Sequence, residues 1–477
     1  MIIYPPGRAF QRGEDRCQVD IESSFVNCCR ACNDLGYVAS CLKSPDYNVF
    51  LRDYQAERLS LQDFLNDIKM YAPDIIFIST TNGSIYYDLD VISEVKKIKN
   101  NIAVILKGAL FFNPHKEFLD KINLSDIDYL IGGEIEFIIK GLIDAHFKDK
   151  SLLKNIQGIS YKQKNEWIIQ NVTEFNQDLD SLPFPDRSLM KNELYVNPAT
   201  NKPMALITTA KGCCFNCFYC LSPIISGKKV RFRSSKSIFD EIKECTEKYN
   251  IFEFFLKSDT FTANRERVIE LCKLLINSGL NKTISWTATA RVDTIDDELV
   301  KIMKDSGCKL LAFGFESGSN ESLKKMKKGT TIEQNCRAAK LCKKYDIKIL
   351  GHFLIGFPWE NETHIEETKK HIFELDADYI EISVVVPYYK TPVYEELFFD
   401  KEIDISDILG HDSYKNITNS ISKLSSKQLL KFKKDIALKF YLRPSYIIKK
   451  FKQIKSPSVL KNYIYYGFRM IKNSIIR

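Results

Sequence analysis

Lys211-Gly212-Cys213-Cys214-Phe215-Asn216-Cys217-Phe218-Tyr219-Cys220 follows the apolar run Met204-Ala205-Leu206-Ile207-Thr208-Thr209. The run reads as a short buried strand, and Gly212 points to a loop at the strand's end. Three thiols then stand at spacing C-x3-C-x2-C: Cys213, Cys217 and Cys220. Thiolates are soft ligands that select iron–sulfur clusters, zinc or copper(I). A four-thiolate cluster needs another Cys nearby, and the next one, Cys245, falls inside a helical pattern. The spacing therefore reads as a three-ligand site with one metal position open, as catalytic sites keep one and structural sites do not. Two plainer readings compete: core cysteines on one helix face, and a zinc site.

Composition bounds the rest. A length of 477 residues implies two to four domains, and 23 Tyr with 31 Phe supply ample core. No run of 18 apolar residues exists, so no transmembrane helix is expected. The opening Met1-Ile2-Ile3-Tyr4-Pro5-Pro6 lacks the basic-then-apolar pattern of a signal peptide. Fourteen Cys without a secretion signal argue for reduced thiols and a cytoplasmic setting. The net charge of +8 is uneven. Between Lys427 and Arg477 stand 14 Lys or Arg and one acid, Asp435, so the body of the chain is net acidic.

Residues 1–145 alternate strand and helix. Strands are expected at Ile2-Ile3-Tyr4, Ile75 to Ser79, Ala103 to Leu106 and Asp128 to Ile131, with helices from Leu61 to Tyr71, from Leu89 to Lys99 and from Glu134 onward. Such alternation implies a doubly wound parallel sheet, whose ligands sit beyond the carboxyl ends of its strands. Thr80, Thr81, Gly108, Gly132, Gly133 and Glu134 are the candidates there. Glycine at strand ends is, however, usual in any sheet of this kind. Cys28-Cys29-Arg30-Ala31-Cys32 lies within Phe25 to Leu35, which reads as a helix ending at Gly36 with buried cysteines. Residues 146–200 form a connector: a hairpin around Lys162 to Glu166, then the extended linker Leu182-Pro183-Phe184-Pro185.

Residues 201–394 alternate again, with strands at Ala205–Thr209, Phe252–Leu256, Thr283–Ala288, Lys309–Phe315, Ile347–Ile355 and Tyr379–Val386. Six βα units fit an incomplete (β/α)6 barrel, in which loops at the carboxyl strand ends carry chemistry. Those loops hold unusual residues: Ser258-Asp259-Thr260, Arg291-Val292-Asp293, Gly314-Phe315-Glu316-Ser317-Gly318, and Gly356-Phe357-Pro358 after His352. Asp259 or Thr260 can equally cap the next helix, and Arg291 can equally pair with Asp293. Glu316, an acid amid apolar residues, needs a partner. His352 can be an acid, base or ligand, or a satisfied core residue.

In order and spacing these motifs resemble the radical S-adenosylmethionine (radical SAM) enzymes, and residues 1–145 resemble the cobalamin-binding domain that precedes many of them. The resemblance covers residues 1–394. It implies a [4Fe–4S] cluster on Cys213, Cys217 and Cys220, SAM chelating the fourth iron, and one-electron cleavage to a 5′-deoxyadenosyl radical. It implies SAM contacts at Asp259, Arg291, Glu316 and Gly356, and cobalamin contacts at Thr80, Thr81, Gly108, Gly132, Gly133 and Glu134. The chain lacks the Asp-x-His-x-x-Gly motif that supplies cobalt with a histidine. Many relatives carry Pro-Gly-Thr-Pro after the sixth strand, where this chain has Pro387-Tyr388-Tyr389-Lys390-Thr391-Pro392, side chains expected to shape the substrate pocket.

From residue 395 the chain is helical and basic. Leu429, Phe432, Ile436 and Phe440 share one face, as do Ile447, Phe451 and Ile454. Such helices suit an anionic membrane surface or simple packing on the barrel; nucleic acid is the less favoured partner. The reading is an anaerobic cobalamin-dependent radical SAM enzyme. It methylates an unactivated carbon of a small-molecule or lipid-like precursor and draws electrons from a flavodoxin- or ferredoxin-type reductant. An oxidative cyclase or rearranging enzyme is the alternative within the class, and a non-catalytic iron–sulfur or corrin sensor the alternative outside it.

Overall fold

The computed structural model describes residues 1–13, 21, 29–398, 409, 421–452, 460, 461, 463–465 and 467. Five strands run parallel in the order β2-β1-β3-β4-β5: β1 (Ile2–Tyr4), β2 (Leu51–Asp53), β3 (Ile75–Ser79), β4 (Ala103–Lys107) and β5 (Tyr129–Ile131). β3 and β4 are buried at every residue because cores lie on both faces of the sheet. Ile76, Ile78, Val104 and Leu106 join one core, and Phe77 and Ile105 the other. The expected hairpin, β6 (Ile159–Gln163) and β7 (Glu166–Gln170), extends this sheet antiparallel beyond β5. Its turn residues Lys164 and Asn165 both have positive φ, 50° and 66°, the pair a two-residue hairpin turn requires.

Two local expectations change. Strand β2 was not anticipated, because Leu51-Arg52-Asp53 offers two charges and no apolar run. The helix expected over Phe25–Leu35 instead spans Asn33–Cys41, with Cys32 just before it; Phe25 to Cys28 lie outside the described residues. Gly36 is therefore inside the helix. A Cβ there would stand 2.9 Å from Pro185 Cβ, so this glycine lets the linker pack close and does not end the helix.

The second sheet opens with β8 (Met204–Thr208). A short ribbon follows, β9 (Ala210–Lys211) with β10 (Arg231–Phe232). Then come β11 (Glu253–Lys257), β12 (Ser285–Ala290), β13 (Cys308–Glu316), β14 (Lys348–Ile355) and β15 (Tyr379–Val384). The order is β15-β14-β13-β12-β11-β8, all parallel, and the two edges do not pair with each other. Alternate residues such as Ile207, Leu256, Ala288, Phe353 and Ile382 form one core with the surrounding helices. Of the isolated cysteines in core-like patterns, Cys245, Cys272, Cys308 and Cys342 are buried in that core, and Cys336 is half-buried against it. The sheet curls. Edges five strand spacings apart would be separated by ~24 Å if flat, yet Val393 N–H, beyond β15, donates to the Phe218 carbonyl, beyond β8, at 3.0 Å.

The helix Ser426–Tyr441 lies beside β15. Leu429, Ile436 and Phe440 are fully buried against the same core, and Phe432 packs on it. Tyr441 Oη accepts from Ile380 N–H (2.9 Å) and donates to its carbonyl (2.8 Å), covering the edge strand. This apolar face is therefore engaged within the protein and is not free for a membrane. The second set differs: Ile447 and Phe451 are exposed on the helix Pro444–Lys452, and Ile454 lies outside the described residues. Among the described residues no helix is long and apolar enough to cross a membrane.

Candidate active site

The cysteine loop leaves the carboxyl end of β8. Gly212 has φ of 91°, and a Cβ there would meet the Lys229 carbonyl at 2.4 Å, so only glycine can make this turn. Backbone hydrogen bonds pin the loop: Cys213 N–H to Gly227 O (3.0 Å), Phe218 N–H to Met326 O (2.9 Å) and Cys220 N–H to Cys217 O (3.1 Å). Cys217 is buried, Cys213 and Cys220 are half-buried, and Cys214 is exposed. Burial pushes the Cys213 thiol up to about 12, and Asp259, Cys220 and Cys217 push the same way. The three thiols and Asp259 are thus close enough to act on one another. Among the described residues no three His, Cys, Asp or Glu side chains converge as ligands of one ion. A four-iron cluster needs a different donor set, one thiolate per iron, and its positive irons favour the thiolate that burial alone opposes. The loop fits that group.

Glu316 sits at the end of β13 with φ of 63°, unusual for a non-glycine residue. Its buried carboxylate accepts from Lys328 Nζ at 2.7 Å. Gly314 makes the space, since a Cβ there would stand 2.2 Å from Glu316 Oε1. Burial pulls the Lys328 ammonium down, but Glu316 outweighs it and the net shift is upward. Lys328 Nζ also lies 3.5 Å from Tyr219 Oη, whose hydroxyl is held protonated by burial and by Glu316. Arg291 pairs with Asp293 through Nε (3.0 Å) and Nη2 (2.8 Å), the alternative weighed for it. It also donates to the Lys328 carbonyl (2.9 Å) and lies 3.5 Å over the Phe215 ring of the cysteine loop. Arg291 therefore braces the loop, with its two-pronged face already occupied.

Asp259 and Thr260 do not cap the following helix. Asn264 does, accepting from Arg267 N–H, and Asp259 lies close enough to Cys213 to raise its thiol. Gly356 N–H and Phe357 N–H both donate to the buried Glu360 carboxylate (2.7 and 3.1 Å), so neither amide is available to an adenine. The turn is instead a wall: Phe357 stacks on Trp359, and Phe218 and Tyr219 of the cysteine loop pack on these rings. On the face of the sheet away from the helices, His352 Nδ1 contacts Glu381 Oε2 at 3.0 Å. These two residues stand in register with Gly314, one and two strands away. Burial would raise the Glu381 carboxyl, but His352, Arg30 and Lys433 hold it below the usual range. His352 Nε2 has no protein partner among the described residues.

The first-sheet candidates are largely engaged with the protein itself. Thr80 Oγ1 and Ser84 Oγ donate to Asp88, which also accepts both arms of Arg12. Thr81 Oγ1 bonds Ser84. A Cβ on Gly132 would strike the Phe111 carbonyl at 2.0 Å, and one on Gly133 would meet Ile138 Cδ1 at 2.6 Å, so these glycines let the protein's own chain approach closely. At Gly108 the nearest atom would be Thr80 Cγ2, at 3.0 Å. Glu134 takes both arms of Arg231 on β10 (2.7 and 2.9 Å), and Lys211, next to Gly212, bonds Glu136 (2.7 Å). These acids join the first sheet to the base of the cysteine loop. The Tyr388-Tyr389-Lys390 segment also docks on the first sheet's loops. Tyr389 stacks on Phe118 at 4.1 Å, its hydroxyl accepts from His115 N–H, and Lys390 Nζ donates to the Asn113 carbonyl. Carboxyl-end loops of both sheets therefore meet at one seam.

Sequence reasoning missed Lys328 and Glu360, the partners of Glu316 and Gly356. The available signal was weak: each is a charged residue beside a glycine turn, in a chain full of lysines and acids.

The profile of the Radical SAM superfamily matches residues 207–372. An "uncharacterized methyltransferase" of Pyrococcus horikoshii is 32% identical over 418 residues, covering 87% of this chain and 88% of that one. The anaerobic magnesium-protoporphyrin IX monomethyl ester cyclase of Cereibacter sphaeroides is 24% identical, over 76% of this chain and 60% of that one. Among solved structures, the cobalamin-dependent S-adenosylmethionine radical enzyme OxsB with aqua-cobalamin bound aligns with a TM-score of 0.71 at 18% identity. That match covers 99% of this chain and 71% of that one, and shows a shared fold.

Proposed function

The chain belongs to the radical SAM superfamily, and on that premise we propose that it is a cobalamin-dependent methyltransferase acting on an unactivated carbon of a small-molecule or lipid-like precursor. The observation that carries the proposal is the pinned three-cysteine loop at the seam between the carboxyl ends of two parallel sheets. A bound cluster, SAM and corrin would supply reductive cleavage of a sulfonium to a hydrogen-abstracting radical, and carriage of a methyl group.

The chain's own residues do the rest. Cys213, Cys217 and Cys220 would hold the cluster. Asp259 stands beside Cys213 and offers a carboxylate to an ammonium group. Glu316, fixed by Lys328, offers its remaining oxygen to ribose hydroxyls or the amino group of SAM. Gly356 supports this site only as part of the Phe357–Trp359 wall, and Arg291 by bracing Phe215. The His352–Glu381 pair presents a free imidazole nitrogen one strand from Gly314, suited to a hydroxyl or amide on the substrate.

The domain reading is residues 1–145 as the cobalamin domain, 146–200 as hairpin and linker, 201–394 as a partial barrel and 395–477 as a basic extension. The side chains of Thr80, Thr81 and Glu134 are hydrogen-bonded within the protein, and Gly132 and Gly133 are packed on their Cβ side. Cobalamin therefore rests on the likeness of fold, and no step is assigned to it. We further read the protein as cytoplasmic, reduced by a flavodoxin- or ferredoxin-type donor, and in peripheral contact with a membrane.

The test is iron and cobalt per chain after anaerobic reconstitution with cobalamin. About four irons and one cobalt are expected. Four irons without cobalt removes the corrin and keeps the radical chemistry; zinc in place of iron removes the radical chemistry. With a substrate in hand, S-adenosylhomocysteine formed beside 5′-deoxyadenosine marks methyl transfer. Its absence favours the oxidative cyclase reading, to which the cyclase relative also points.

A further inference from the structure

We propose that the helix Pro444–Lys452 is a docking face for an anionic lipid surface, with Ile448 and Phe451 as the inserted side chains. This deepens the peripheral-contact reading by naming the face and the lipid chemistry. A helix on a water-soluble protein turns its apolar side inward and its lysines outward. This one buries a lysine beside a tyrosine and leaves three apolar residues outside. Its buried residues are Tyr446 and Lys450, and Lys450 Nζ lies 4.0 Å from the Tyr379 ring centroid and 5.2 Å from that of Tyr446. Its outward residues are Ile447, Ile448 and Phe451, the last two 56% and 63% exposed. Leu442, Ile464 and Tyr465 add to them, so residues 442–465 hold six of the sixteen large hydrophobic side chains exposed among the described residues.

Charge selects the occupant. Between Lys427 and Arg477 the sequence carries 14 Lys or Arg and one acid, Asp435. Lys439 pairs with Asp435, Lys449 with Asp378 and Arg443 with Asp376. Lys427, Lys431 and Lys461 are exposed and make no ion pair among the described residues. A second copy of the chain would bring two basic faces together and be repelled. A nucleic acid would use the cations and leave Ile448 and Phe451 in water. A lipid surface with anionic headgroups uses both: apolar side chains enter the acyl boundary while lysines meet the headgroups.

The experiment is flotation of the full chain with vesicles of phosphatidylcholine alone or with about one-third phosphatidylglycerol, at a salt concentration where the Debye length is about 8 Å. The chain is expected to float with the anionic vesicles and to partition at least tenfold less onto the neutral ones. Ile448→Ser and Phe451→Ser are each expected to lower partitioning about tenfold at an unchanged melting temperature. If either variant melts lower, Lys427→Glu with Lys431→Glu removes exposed cations of the neighbouring helix and should lower partitioning as well. The proposal is overturned by absence of flotation, or by equal flotation of wild type and variants. It is also overturned by a concentration-dependent dimer that Phe451→Ser dissolves without vesicle binding, or by duplex DNA binding indifferent to both serine variants. Flotation needs neither cluster nor SAM, so its failure leaves the enzymatic reading standing, and iron or cobalt content leaves this one untouched.

Discussion

Replacing Lys328 by methionine removes the cation that neutralises Glu316. The Nζ–Oε1 distance is 2.7 Å and each side chain is 9% exposed. At an effective dielectric of 20 the pair's Coulomb attraction is ~6 kcal/mol. Desolvation of both charges offsets part of that, and breaking a buried pair by removing one partner costs about 3–5 kcal/mol. In a cooperative unit of about 200 residues, 1 kcal/mol moves the melting temperature by about 2–4 °C. Lys328→Met should therefore melt roughly 6–20 °C lower than wild type. The double variant Lys328→Met with Glu316→Gln leaves no buried lone charge and should recover more than half of the loss. The assay is thermal unfolding followed by circular dichroism, on apoprotein so that cluster loss does not intrude. If the double variant falls by the sum of the single losses, the two residues are independent and the paired-carboxylate account of this site is wrong.

Other outcomes follow from the same geometry. Alanine at Cys213, Cys217 or Cys220 should abolish most iron binding on reconstitution, while Cys214→Ala, at an exposed position, should retain it; colorimetric iron assay distinguishes them. Gly212→Ala places a methyl 2.4 Å from the Lys229 carbonyl and should lose iron although every thiol remains. Asp53, whose carboxyl is raised to about 6 by burial, binds a proton more tightly folded than unfolded. Its contribution is thus fully present below about pH 4 and lost as pH rises through about 6, on the order of 2–3 kcal/mol. Asp53→Asn should therefore gain melting temperature relative to wild type as pH rises across that window, and a constant difference would count against it. His352→Gln should leave substrate-free SAM cleavage unchanged and slow turnover of a substrate, read as 5′-deoxyadenosine formed with and without it.

The parallel strands were legible because they are buried on both faces: Ile75 to Ser79 and Ala103 to Leu106 are unbroken β-formers. The cysteine loop was legible because three thiols at one spacing, after a strand and a glycine, form a pattern that core packing does not require. Contacts formed between distant segments were not. Nothing in Leu51-Arg52-Asp53 predicts an edge strand until β1 is beside it. Glu134 looked like a ligand residue because strand-end acids often are, and only folding brings Arg231, 97 positions away, onto it. Leu429 and Phe451 lie on helices of similar pattern, yet one is in the core and the other in solvent, because the second helix meets the start of β15 through Tyr446 and Lys450.

The seam of Glu134, Glu136, Arg231 and Lys211 bears on how proteins of this design can be recombined. A cut in the linker near Pro185 looks convenient, since few residues there seem to belong to either half. A chimera made there, with the first sheet taken from a relative lacking the two acids, would leave Lys211 and Arg231 as cations without counter-charges at the root of the cluster loop. The transferable unit is therefore the first sheet together with the β9–β10 ribbon and the Tyr388–Lys390 segment. Exchange of metal-site loops between relatives should succeed only when both sides of the seam travel together.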